Sequence, residues 1–248
     1  MCIARLPRHR SIVRPGSACP SCGAVIRAWD NLPLISFAVL GGRCRACRWR
    51  IPWSYPAVEL ATACLFLLAY LRFGFTLAGA GAATLSFLLL GLAVMDAETM
   101  HLPDAFTVPG ILLGVVWRGT LHTAAFLIHL HNAAFALLSA LCAALLIWLI
   151  RWFYYALRHR EGMGLGDAKL LAMIAAWLGP ALTALTFVLA TFAAAAFGLA
   201  LVAKRRGLDG QKDQSPTRVP LGSFLCAAAL YALFAGQPII HWYAGFFR

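Results

Sequence analysis

Apolar stretches close to the thickness of a bilayer recur along the chain, at 54–73, 76–95, 133–155, 181–203 and 219–236. A helix needs ~20 mostly apolar residues to cross the hydrocarbon core, so these five read as membrane spans. Two shorter stretches, 105–117 and 168–179, read as short or tilted spans. Unpaired backbone groups are costly in lipid, so only helices or closed barrels cross it. These stretches are rich in Ala and Leu without strict alternation, which favours helices. The expected fold is an all-α polytopic membrane protein of about seven transmembrane helices. Composition agrees: 62% of the 248 residues are hydrophobic and 12% are charged, whereas roughly a quarter are charged in a soluble domain.

The formal net charge of +12 raises the question of nucleic acid, and the positions of the 21 basic residues answer it. Nine lie in the first 50 residues. Arg151, Arg158, Arg160 and Lys169 flank a glycine-rich loop, and Lys204, Arg205, Arg206, Lys212 and Arg218 fill another. With residues 1–50 in the cytoplasm, seven alternating spans put all three groups inside, leaving Arg72, Arg118 and Arg248 outside. Every loop then obeys the positive-inside rule. Charge is thus a topology signal, and no basic surface interleaved with aromatics points to nucleic acid. The same parity puts the polar breaks at 96–104 and 162–167 on the cytoplasmic side, where two loops separated by two spans can meet.

Met1–Arg14 carries basic residues but no apolar core of a secretory signal, and residues 1–50 are expected to form a small extramembrane domain, with 51–248 as the membrane domain. Cys19-Pro-Ser-Cys22 and Cys44-Arg-Ala-Cys47 are two CxxC knuckles separated by 21 residues, close to the spacing of a zinc ribbon. Each knuckle offers two sulfurs to one tetrahedral ion, and a segment this short gains its folding free energy from the metal. The alternative, a pair of disulfides, disagrees with a reducing cytosolic face. Cys2, Cys64, Cys142 and Cys226 are read without metal; the last three lie in apolar spans as small packing residues.

With nine acidic residues in the whole chain, each one beside a span carries weight. Asp96 ends an apolar stretch, Glu98 and Asp104 follow, and Asp167 ends Gly162-Met-Gly164-Leu-Gly166-Asp167. The alternate glycines let the backbone turn tightly and approach a neighbour closely. Ionisable groups at membrane depth are functional-site hypotheses by default. Asp104 and Asp167 also sit where a helix N-terminus favours an acid, so capping competes with catalysis. Two adjacent carboxyls sharing one proton can hydrolyse a peptide: one takes a proton from water while the other donates to the carbonyl oxygen. Sequence alone does not say which acids are adjacent.

The ordered motifs carry a resemblance. Arg5-Leu6-Pro7, Pro15-Gly16-Ser17, the two knuckles, Trp29-Asp-Asn-Leu-Pro33, Tyr55-Pro-Ala-Val-Glu-Leu60, Asp96 through Leu102-Pro-Asp104, the Gly162 to Leu170 run and Val219-Pro-Leu-Gly222 stand in one order. The chain thereby resembles the bacterial type 4 prepilin leader peptidases. The resemblance implies that Asp96 and Asp167 are the catalytic aspartates of a GxGD-type membrane peptidase and that Cys19, Cys22, Cys44 and Cys47 bind zinc. It implies prepilin or pseudopilin substrates of type IV pili or type II secretion, cut at the cytoplasmic face of a bacterial inner membrane. Many such enzymes then methylate the new N-terminus with S-adenosylmethionine; no motif for that cofactor is recognisable here. Asp104 matches the family's Leu-Pro-Asp rather than its first catalytic position and is read as supporting. Relatives carry a transmembrane helix ahead of the Arg-Leu-Pro segment, whereas four residues precede Arg5 here. The expectation is a misplaced start or a member without that helix.

Gly164, Gly166 and Lys169 are further supporting residues, with Lys169 placed to tune the pair's acidity or to snorkel. Glu59 is read either as a contact to substrate or cofactor or as a helix-start acid. His122, His129 and His131 are expected in an outside loop, and Trp29, Trp49, Trp53 and Trp242 as interfacial anchors. Two rival readings stay open: a transporter relaying protons or cations through Asp96, Asp104 and Asp167, and an inactive scaffold of pilus or secretion assembly.

Overall fold

The computed structural model describes residues 17–120, 126–159, 164–208 and 219–246. Several sequence expectations lie outside these residues: Cys2, Arg5-Leu6-Pro7, Pro15-Gly16, His122, Arg160, Gly162, Lys212, Arg218 and Arg248. The described chain is helical, with a short helix α1 (Ile35–Val39) in the amino-terminal region and seven longer ones. These are α2 (Ser54–Phe73), α3 (Leu77–Thr99), α4 (Asp104–Thr120), α5 (Phe126–Arg158), α6 (Leu165–Leu178), α7 (Pro180–Leu208) and α8 (Leu221–Gly245).

The helix ends follow from local chemistry. Gly74 ends α2 at φ +67° and Gly179 ends α6 at φ +79°, left-handed positions that glycine takes without a Cβ penalty. Thr76 caps α3 by accepting the Gly79 N–H at 3.1 Å. α3 runs three residues past Asp96 before Met100 turns left-handed. Asp104 opens α4, as its capping reading expects, while α6 begins at Leu165, so Asp167 is its third residue rather than its boundary.

Among the described residues, five helices are long and apolar enough to cross a membrane: Ser54–Phe73, Leu77–Thr99, Leu127–Arg158, Pro180–Lys204 and Leu221–Gly245. α4 and α6, of 17 and 14 residues, rise only about 25 and 21 Å at 1.5 Å per residue, short of the ~30 Å core. One expectation is corrected. His129 and His131 lie in the first turns of α5, which begins at Phe126 rather than near 133. Adding a turn to a nucleated helix is cheap, and the His129 Nδ1–H is spent on the Gly119 carbonyl of α4.

The core is organised around α6. Leu170, Leu171, Met173, Ile174, Ala175 and Ala176 are all buried, so this helix is enclosed on every side. α4 and α5 pack on it most extensively, with α7 and α8 completing the ring; α3 packs on α8, and α2 lies outermost against α3. Small residues set the spacing. Gly110 and Gly114 of α4 stand against Met173 and Trp177, where an added Cβ would come within 2.3 Å of the Met173 sulfur and 2.6 Å of Trp177 Cδ1. Helices in lipid gain most of their association from such close approach. The Trp177 indole N–H then reaches the Gly110 carbonyl at 2.9 Å, locking α4 to α6.

Candidate active site

The first site is the four-cysteine cluster. In each knuckle a backbone N–H four residues on returns to the first cysteine's carbonyl: Gly23 to Cys19 at 2.9 Å and Arg48 to Cys44 at 3.0 Å. Gly23 and Arg48, each following the second cysteine, are both left-handed, at φ +71° and +60°. Each knuckle is closed by an antiparallel bridge, Ala18 with Val25 and Arg43 with Arg50. The two halves are thus built alike and face each other. Their four sulfurs lie within 4.8 Å of one another, and Cys19 and Cys47 are 3.8 Å apart. Tetrahedral zinc with ~2.3 Å bonds needs sulfurs ~3.8 Å apart, so the donor set fits the ion.

The electrostatics fit as well. Backbone N–H groups of Cys22 and Ser21 aimed at the Cys19 sulfur bring that thiol down to about 7. Cys22 receives the Ala24 N–H yet is pushed up to about 11, because the sulfurs of Cys47 and its other neighbours resist a further negative charge beside them. Four thiolates at this spacing need a cation between them. Arg45 ties the second knuckle to the segment between the knuckles with two guanidinium nitrogens on the Asp30 carboxylate, the shorter contact 2.6 Å, and its hydrogen bonds hold the Asp30 carboxyl below the usual range.

This domain is tethered to the bundle through Glu59. Leu34 sits at φ +61°, a conformation a branched residue rarely adopts, and its N–H donates to Glu59 Oε2 at 2.8 Å. Phe37 packs on Trp53 at 5.1 Å beside this contact. The carboxylate that sequence left between a ligand contact and a helix-start acid is occupied in joining α2 to the cysteine domain.

The second site is the aspartate pair at the end of the bundle. Asp96, near the end of α3, is buried to 5% exposure, and Asp167, in the first turn of α6, is half-buried. The structure brings them together across Leu102. Gly166 abuts Leu102, with a built Cβ 3.2 Å from the leucine Cβ, and Gly222 abuts both Leu102 and the Asp96 carboxyl. Asp96 and the glycine preceding Asp167 thus stand around one leucine. Asp167 Oδ2 accepts the Gly164 N–H at 3.2 Å, the acidic half of a capping box, so capping and proximity to Asp96 coexist in one side chain.

Asp104 and Lys169 pair with each other at 2.6 Å, with side chains 63% and 41% exposed. This contact joins the starts of α4 and α6 outside the pair, and exposed ion pairs contribute about 0–1 kcal/mol. The residue that sequence reasoning missed is Ser223. Its N–H and Oγ lie 2.6 and 3.0 Å from Asp96 Oδ2. Pro220 with a polar residue soon after it signals a helix start, but only the packing of α8 on α3 puts that start at Asp96.

A helical membrane bundle that sets two aspartates together at one end of its buried central helix, with a four-cysteine domain tied to its first long helix, is the class of protein that fold and site define. Residues 1–73 match the bacterial peptidase A24 N-terminal domain and residues 82–199, which contain both aspartates, match the type IV leader peptidase family. Curated relatives named prepilin leader peptidase/N-methyltransferase include that of Pseudomonas aeruginosa, 36% identical over 236 residues, covering 95% of this chain and 77% of the relative. That of Burkholderia pseudomallei is 38% identical over 236 residues, covering 94% and 71%. That of Legionella pneumophila is 35% identical over 233 residues, covering 94% and 76%. The chain belongs to the type IV leader peptidase family. No solved structure matches it.

Proposed function

We propose that this protein is a membrane aspartic endopeptidase that removes the leader peptide of type IV prepilins or pseudopilins, with Asp96 and Asp167 as its catalytic residues. The observation that carries the reading is that Asp96 and the Gly164–Asp167 turn, far apart in the chain, stand around one residue, Leu102, at one end of α6. One carboxyl, ionised, takes a proton from the attacking water; the other, protonated, gives its proton to the scissile carbonyl oxygen, and the roles reverse as the amine leaves. Leu102, between Gly166 and Gly222, screens one side of the pair from water. We place the pair at the cytoplasmic face of the inner membrane because that orientation puts the basic loops inside. The same orientation has α4 and α6 cross with the five longer helices, giving seven spans. At about 21 Å, α6 is too short to carry Asp167 clear of the membrane from the opposite surface, which suits a substrate cut beside its own apolar helix.

Residues 1–50 act as a separate structural domain on 51–248, and Cys19, Cys22, Cys44 and Cys47 would hold zinc, which supplies folding free energy rather than chemistry at the aspartates. Methylation of the new N-terminus with S-adenosylmethionine is carried over from the name of the relatives; no step is derived through that cofactor. Membrane lipid is the remaining partner and nucleic acid is not one. The transporter reading predicts charge flux in liposomes and no cleavage, and the scaffold reading predicts neither. Incubating membranes containing the chain with a prepilin and following leader removal separates the three. Cleavage supports the peptidase, and its absence in correctly inserted protein overturns it.

A further inference from the structure

Two donors from one residue, 127 positions later in the chain, converge on one oxygen of Asp96. Ser223 is the third residue of α8, so its N–H is among those a helix leaves unpaired at its start. That N–H is 2.6 Å from Asp96 Oδ2 and the hydroxyl is 3.0 Å from the same atom. The approach depends on Gly222, whose missing Cβ would stand 2.9 Å from the Asp96 Cγ. Other Ser and Thr hydroxyls in the bundle behave differently. Ser139, Thr183, Thr186 and Thr191 each bond the carbonyl four residues back, the ordinary fate of such a group in a helix. The Ser223 hydroxyl instead crosses to α3, where it has two acceptors: Asp96 Oδ2 and, at 2.9 Å, the Ala93 carbonyl.

A hydroxyl has one hydrogen to give and two lone pairs to receive with, so it cannot donate to both acceptors at once. We propose that Ser223 is a positioning residue that follows the protonation of Asp96. With Asp96 ionised, the serine hydrogen points to Oδ2. With Asp96 protonated, the acid O–H donates to Oγ and the serine hydrogen turns to the Ala93 carbonyl. No proton passes between the two residues; only the direction of the hydrogen bond changes. Two-carboxyl hydrolysis requires each acid to gain and lose a proton in every turnover. A partner that serves both states keeps the Asp96 carboxyl in one orientation throughout, with Oδ1 left for water or substrate. The inference rests on the peptidase reading and adds to it a residue outside the segment that matches the leader peptidase family.

The test compares Ser223→Ala and Ser223→Thr with the unaltered full chain in lipid nanodiscs, using a prepilin as substrate. The alanine variant is expected to lose about 10²-fold in kcat, the scale of removing one pre-positioned donor, with KM within about twofold; threonine, which keeps the hydroxyl, restores most of it. An alanine variant with unaltered kcat, a loss expressed in KM alone, or a threonine variant as slow as alanine overturns the proposal. A second readout does not depend on turnover. The infrared carboxyl band that disappears in Asp96→Asn is expected to shift in Ser223→Ala and to return in Ser223→Thr. If the unaltered chain cleaves nothing, the peptidase reading fails, and this band alone decides the role of Ser223: an unshifted band overturns it.

Discussion

Replacing Gly222 with alanine tests the close approach on which the placement of Asp96 depends. A Cβ at that position lies 2.9 Å from both Cγ and Oδ2 of Asp96 and 3.1 Å from Leu102 Cδ1. Comfortable contacts between such atoms are ~3.5–4.0 Å, so the carboxyl or the start of α8 must move by about 0.6–1 Å. Misplacing a reacting group by ~1 Å costs about 10²-fold in rate, or ~2.7 kcal/mol of barrier. Stability responds differently. Alanine is favoured over glycine within a helix by about 0.5–1 kcal/mol, against an overpacking cost of about 1–3 kcal/mol, so the net change is a small destabilisation. The assay is steady-state prepilin cleavage in nanodiscs, with thermal unfolding measured on the same preparation. The expected result is a roughly hundredfold lower kcat with a Tm only slightly reduced. A variant that cleaves at the unaltered rate would refute the reasoning, because it would show that the Asp96 carboxyl need not sit where Gly222 admits it.

Three further outcomes follow from the rest of the structure. Purified protein should carry zinc that Cys44→Ser removes, with residues 17–50 becoming protease-sensitive in the variant; metal analysis and limited proteolysis check this. Trp177→Phe removes the indole donor to the buried Gly110 carbonyl and should destabilise the bundle by about 1–3 kcal/mol, read from thermal unfolding. The Asp30 carboxyl is held below its usual range by Arg45, so the pair stabilises the cysteine domain above that range. This contribution fades as pH falls through the lowered value. Hydrogen exchange over residues 28–48 should speed up on acidification in the natural sequence, with that step absent in Asp30→Asn.

Much of the architecture was legible because lipid imposes a length and a composition on each span, and the seven apolar stretches correspond to the seven longer helices. The extent of α5 was not, since the histidines at 129 and 131 dilute the hydropathy of a segment whose helix continues through them. The cysteine cluster was legible from spacing alone, because a CxxC knuckle is a local device. Asp96 and Asp167 were legible as a location through charge parity, but their selection over Asp104 came from the resemblance. The exposed pairing of Asp104 with Lys169 gives both residues a partner outside the pair. The contact of Glu59 and the residue Ser223 escaped for one reason: the partner of each lies on another element, Leu34 for one and Asp96 for the other. No periodicity or spacing within their own segments encodes those contacts.

The central claim is that the two aspartates together perform the cleavage. It is tested most directly by substituting each with asparagine, which keeps size and removes the titrating oxygen. Membranes bearing Asp96→Asn or Asp167→Asn, with insertion verified, would be incubated with a prepilin and the released leader quantified. The account predicts that either substitution alone abolishes leader removal while zinc content and insertion stay unchanged. Leader removal at the unaltered rate by either variant would contradict it.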